Sequence, residues 1–258
     1  MGATVAANHL NMSYLAIFSK ISSAAAIYKT GIFAAISALF AAFGRLVRGV
    51  TTGGSIAGAA VCFVLLWAAG KTGFTALFTV FALTWLSTRL GYARKQRLGT
   101  AEARSGRDAL QVLANLGTAA GCAVLFTQFS NPRVFVAMAA ALAEAAADTV
   151  SSEIGQGMGG TPRLITTWQK AAQGTNGAIT AIGTAAGAAA AVAVALVCLV
   201  FGRVGLPLFA VIACSGLGGT IIDSLLGATV EGRARLGNNA VNFISTMIAA
   251  ILAFAIAP

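Results

Sequence analysis

Histidine occurs once in this sequence, at His9, and no cysteine stands in a CxxC pair or close to a histidine. Imidazole-based zinc sites and Ser/His or Cys/His nucleophilic systems therefore have nothing to be built from. Charge is scarce too: Asp, Glu, Lys and Arg make up 9% of the 258 residues, against about 25% in an ordinary soluble domain. With 58% hydrophobic residues and a mean hydropathy of +0.84, a water-soluble fold is excluded. The four cysteines, Cys62, Cys122, Cys198 and Cys214, all fall inside apolar stretches and read as small core residues.

What remains is a series of apolar stretches joined by short connections, which predicts an all-α, polytopic membrane bundle of about seven transmembrane helices. A hydrocarbon core about 30 Å thick needs roughly 20 apolar residues per helix. Candidate spans are residues 31–46, 55–70, 73–90, 109–127, 133–148, 177–201 and 206–227, with an eighth at 239–257. The first is short enough to be partial or re-entrant. Residues 31–258 form one transmembrane domain in this reading. Residues 1–30 form a separate amphipathic or mobile segment that lacks the charged, apolar and cleavage order of a signal peptide.

The net charge of +10 is explained by topology rather than by nucleic acid, because the bases lie in the connections. With the loop after residue 90 placed in the cytoplasm, Arg45, Arg48, Arg89, Arg94, Lys95, Arg97, Arg104, Arg107, Arg163, Lys170, Arg233 and Arg235 fall inside. Only Lys71, Arg133 and Arg203 fall outside. This bias predicts an integral membrane protein, of the inner membrane in a bacterium, with its polar loops cytoplasmic. Glycines at three- and four-residue spacing, such as Gly183 and Gly187 or Gly216 and Gly219, suit close helix packing.

The seven acids, Glu102, Asp108, Glu144, Asp148, Glu153, Asp223 and Glu231, all map to the cytoplasmic loops or the helix ends nearest them. Glu102 and Glu231 read as ordinary loop charges. Glu144, Asp148 and Asp223 sit in or at the ends of apolar helices, where an ionised carboxylate costs roughly 2.5–3.5 kcal/mol and a partner or a function is expected. Glu144, Asp148 and Ser151 or Ser152 share one helical face. Glu153 lies about 140° around from Asp148 if the helix continues, so the two serve one site only if the helix ends or they straddle it. Such oxygen ligands suit Mg²⁺, which takes one or two protein carboxylates and fills its shell with water and substrate phosphates. An arginine-paired buried Asp is the alternative.

Further polar runs approach from the same side. Gly155 to Gly160 formally contains GxGxxG, but no strand precedes it, so a dinucleotide fold is not indicated; glycine-rich backbone can still cradle an anion. Arg163 and Lys170 follow. Gly174-Thr175-Asn176-Gly177 opens the sixth span, where free helix amides favour phosphate. Asp108, Gln111 and Asn115 form one stripe, and Asn238, Asn239 and Asn242 open the last span.

Five of these stretches carry a resemblance: Gly106 to Asn115, Ala147 to Gly155, Pro162 to Thr166, Gly174 to Gly177 and Asp223 to Thr229. In this order they resemble the integral membrane family that contains phytyl-phosphate kinase and transmembrane protein 19, also called domain of unknown function 92. That family is distantly similar to dolichol kinase and to CTP-using lipid transferases. The resemblance implies CTP-dependent phosphorylation of a prenyl monophosphate, such as phytyl phosphate, to its diphosphate. It implies Asp148, Glu153 and Asp223 as the Mg²⁺-binding and catalytic carboxylates. Arg107, Arg163, Lys170 and Gly174 to Gly177 would hold phosphates, with Gln111, Asn115, Ser152, Asn239 and Asn242 completing the nucleotide site. A cytidylyl transfer forming a CDP-lipid, or a transporter or scaffold without catalysis, are the alternative readings.

Overall fold

The computed structural model describes residues 26–230 and 236–258. His9, most of the expected N-terminal segment, Glu231, Arg233 and Arg235 lie outside the described residues. The described residues form an all-α polytopic bundle with seven helices long and apolar enough to cross a membrane. These are α1 (Ala26–Leu46), α2 (Thr52–Arg89), α4 (Ala109–Phe129), α5 (Pro132–Met158), α6 (Ala181–Val200), α7 (Leu206–Thr229) and α8 (Asn238–Ile256), while α3 (Tyr92–Leu98) is a short connecting helix.

Helix α2 is folded back on itself. Gly70 leaves the helical region with φ 58° and ψ −138°, and a Cβ on Gly73 would stand 2.4 Å from the Leu65 carbonyl oxygen. In a straight helix residues eight apart are about 12 Å apart, so the chain reverses here. The two limbs, 52–69 and 71–89, correspond to the second and third expected spans. Both ends of α2 therefore share one face of the bundle: Thr51 N–H donates to the Arg107 carbonyl at 2.9 Å, and Trp85 Nε1 donates to Val47 O at 3.1 Å.

Helix α5 is the axis, packed by α2, α4, α6, α7 and α8. Its sequence explains this position, since alanines at 137, 139–141, 143 and 145–147 leave room for neighbours on every side. The approaching helices bring glycine to the closest points. A Cβ at Gly183 of α6 would lie 2.5 Å from Ser151 O, and one at Gly216 of α7 would lie 2.8 Å from Ala143 Cβ.

The three bases expected on the far side do sit together at the opposite end. Lys71 lies over Phe201, Arg203 over Phe126 and Phe135, and Arg133 Nε donates to Pro258 O at 3.2 Å. The expected end of the fifth span at residue 148 is corrected, because α5 continues to Met158. The extension carries Gly155, Gly157 and the β-branched Thr149, Val150 and Ile154, so packing against α3 and α6 holds it rather than helix propensity. Glu144 is thus in the middle of the helix, fully buried, rather than near its end.

Candidate functional site

The helix ends on the face carrying residues 51 and 107 enclose a polar cavity of about 270 Å³. Its long wall is α5, which contributes Asp148, Ser151, Ser152 and Glu153. Because α5 does not end at 148, Asp148 and Glu153 straddle the cavity rather than pointing the same way. Glu153 is turned toward α3, where its carboxylate meets the ammonium of Lys95. Thr88 Oγ1 donates to its other oxygen at 3.2 Å. Lys95 has no solvent exposure and donates as well to the carbonyls of Ser87, at 3.1 Å, and Thr88, at 2.7 Å. Three acceptors around one buried ammonium make a structural clamp between the end of α2, α3 and α5.

From α4 and the loop before it come Glu102, Arg107, Gln111 and Asn115. Asp108, first in the expected stripe, is the N-cap of α4. Its side chain accepts from Gln111 N–H at 2.9 Å while Gln111 Oε1 accepts from Asp108 N–H at 2.8 Å, a reciprocal capping box. That box aims the Gln111 amide at Glu102, with Nε2 3.3 Å from Oε2. Arg107 Nε stands 3.9 Å from the same oxygen. Asn115 accepts a 3.4 Å hydrogen bond from Asn242 Nδ2, tying α4 to α8. Glu102, read from sequence as an ordinary loop charge, is thus a cavity residue.

The loop from Gly159 to Thr180 closes the site. The expected glycine-rich loop from Gly155 is corrected: helix continues through Met158, and only Gly159 and Gly160 take positive φ, 97° and 106°. Arg163–Leu164 and Ala178–Ile179 pair as a two-stranded antiparallel ribbon, β1 and β2. Gly174, Thr175, Asn176 and Gly177 line the cavity, but they do not open α6. Gly174 and Gly177 have φ of 81° and 73°, outside the helical region, and β2 intervenes between them and α6. The N-cap of α6 is Thr180, whose side chain accepts from Gly183 N–H at 3.1 Å. Arg163 and Lys170 are exposed and line no part of the cavity. The Arg163 guanidinium donates to Trp168 O at 2.7 Å, and Lys170 is bridged to Arg163 by backbone hydrogen bonding.

Opposite α5, α7 contributes Asp223 and Ser224, and α8 contributes Asn238, Asn239 and Asn242. Asp148 and Asp223 both lie within electrostatic reach of Glu144, a buried residue of α5 that meets Ser245 of α8. Among the described residues no group of three or more His, Cys, Asp or Glu side chains is close enough to hold one ion. Of the expected metal set, Asp148, Glu153 and Asp223 all line the cavity, and Glu153 is also paired with Lys95. Lys95, which pairs with Glu153, and Glu102 and Thr100, which line the cavity, are the residues that sequence reasoning missed. Lys95 carried a signal in its place among four bases in residues 94–104, but only three-dimensional packing distinguishes it from its solvated neighbours.

A helical membrane bundle with a polar cavity of carboxylates, amides and hydroxyls at its helix ends is the class that fold and site define. The chain belongs to the family described as integral membrane protein DUF92, which matches residues 35–250. It is 33% identical over 200 residues to an uncharacterized membrane protein of Methanocaldococcus jannaschii, covering 77% of this chain and 82% of that one. It is 36% identical over 202 residues to an uncharacterized membrane protein of Synechocystis, covering 75% and 77%. Protein VTE6, chloroplastic, of Arabidopsis thaliana is 29% identical over 263 residues, covering 98% and 78%. No solved structure matches.

Proposed function

We propose that the chain is a membrane-embedded phosphotransferase that uses CTP to convert a prenyl, phytyl-like monophosphate to its diphosphate at the cytoplasmic face. The observation that carries this reading is the charge of the polar cavity. Its ionisable lining is Glu102, Asp148, Glu153 and Asp223 against a single guanidinium, Arg107. A triphosphate has no electrostatic reason to enter such a cavity alone. It enters with a divalent cation, and an all-oxygen donor set that includes the carboxylates of Asp148 and Asp223 suits Mg²⁺. Asp148 and Asp223 would hold that ion, which when bound neutralises charge on the transferring phosphoryl group.

The other residues position. Asn115, Asn239 and Asn242 offer amides for ribose, base or phosphate oxygens, and Gly174 to Gly177 offers backbone N–H groups. Arg107 is placed to hold a phosphate at the edge of the cavity. Arg163 and Lys170, outside it, are assigned no phosphate. Glu153 serves by anchoring α3 rather than by touching the metal. In the reaction an acceptor phosphate oxygen forms a bond to the γ-phosphorus as the bond to the β–γ bridging oxygen breaks, and CDP leaves with that electron pair. Phosphoryl transfer of this kind asks mainly for positioning and charge neutralisation, so the lack of histidine and cysteine is no obstacle.

The test is product analysis with purified protein, CTP, Mg²⁺ and a prenyl monophosphate. CDP and prenyl diphosphate are expected. Pyrophosphate with a CDP-lipid would replace the kinase by a cytidylyltransferase. Absence of any nucleotide-induced thermal stabilisation would favour a transporter or scaffold.

A further inference from the structure

A second cavity, of about 440 Å³, lies between α1, α2 and α4 and has the opposite chemistry. Its interior is apolar: Phe40, Leu77, Val80, Phe81, Val112 and Leu116 line it. Its mouth, on the same face as the polar cavity, carries Arg48, Arg89, Arg104 and Arg107 against one acid, Glu102. The two cavities share Glu102, Arg107, Gln111 and Asn115 as a common wall. Along the second limb of α2 the lining runs from Arg89 back to Leu77, about 18 Å of helix.

We infer that this cavity binds the acceptor, a lipid phosphate monoester, with its chain among the apolar side chains and its phosphate among the arginines. The inference rests on the phosphotransferase reading and names that reaction's second substrate site. Charge selects the occupant. Four guanidiniums at the end of an apolar slot fit an anionic head on a hydrocarbon tail, whereas the carboxylate-rich cavity beside it requires a cation with its phosphates. The two substrates are thus sorted by how each phosphate is neutralised. Arg107, on the common wall and 3.9 Å from Glu102, stands where the two phosphates would meet. Arg89 is held by its donation to Val47 O and by stacking 4.4 Å over Trp85. Arg48 occupies the left-handed region with φ 54°, a conformation a non-glycine residue keeps only where its surroundings enforce it.

Gly58 makes the inference testable, because it lines the cavity and a Cβ there meets nothing within 4 Å. Gly58→Leu would fill the slot without a clash on the backbone. The full chain in nanodiscs is expected to bind a fluorescent C20 prenyl monophosphate in the absence of nucleotide and Mg²⁺, and the matching prenyl alcohol at least tenfold more weakly. Gly58→Leu is expected to weaken the monophosphate at least tenfold while leaving Mg-CTP binding within twofold of wild type. Arg48→Gln with Arg104→Gln, both exposed, is expected to erase most of the preference for the phosphate over the alcohol, and stands alone should Gly58→Leu fail to fold. Unchanged lipid binding in both variants would overturn the site while leaving the kinase reading intact. Intact lipid binding with no phosphoryl transfer to any prenyl monophosphate would instead remove the kinase reading and keep the lipid phosphate site.

Discussion

Lys95 and Glu153 form a buried ion pair that joins a seven-residue helix to the central helix of the bundle. The ammonium has no solvent exposure and is satisfied on its other sides by the Ser87 and Thr88 carbonyls. Removing one partner strands a charge, which costs about 3–5 kcal/mol. Lys95→Met is therefore expected to lower the melting temperature in detergent strongly. Glu153→Gln keeps the Thr88 contact and is expected to cost less. The double variant Lys95→Met/Glu153→Leu is expected to recover much of the loss, and a double-mutant cycle measures the coupling.

Gly177 packs closely against α7 in the loop that closes the polar cavity. It has φ of 73°, and an added Cβ would stand 2.4 Å from Ala228 Cβ and 2.5 Å from Ser224 O. Gly177→Val is expected to lose about 1–3 kcal/mol through backbone strain and, by pushing the loop off α7, to raise the Kd for Mg-CTP at least tenfold. Titration calorimetry on the folded variant separates the two effects.

Orientation is checked by labelling. In a cysteine-free background, single cysteines replacing Lys71, Arg133 and Arg203 are expected to react with an impermeant maleimide added to intact cells. Those replacing Arg94, Arg104 and Lys170 are expected to react only after permeabilisation. The opposite pattern would put the site on the outer side.

Much of the bundle was legible in the sequence because apolar length and charge bias are local properties. The reversal at Gly70 was legible for the same reason, as a polar and glycine interruption between two apolar runs. Helix ends were not. The run from Thr149 to Met158 is polar enough to resemble a loop, yet it is helical because α3 and α6 cover it, and tertiary contact overrides local polarity. The opposite error occurred at Gly174 to Gly177, whose positive φ values are invisible to a pattern that sees only a glycine before an apolar run. Asp148, Asp223, Asn115 and Asn242 stood out as polar residues in apolar helices. Glu153 stood out equally and is bound to Lys95, because one sequence carries no information on which loop base packs against which acid.

The most direct test of the account is phosphoryl transfer by purified wild type and the Asp148→Asn/Asp223→Asn variant, assayed with CTP, Mg²⁺ and a prenyl monophosphate. The account predicts CDP and prenyl diphosphate from wild type, and at least a hundredfold loss in the variant with its fold preserved. Activity in the folded variant equal to that of wild type would contradict it.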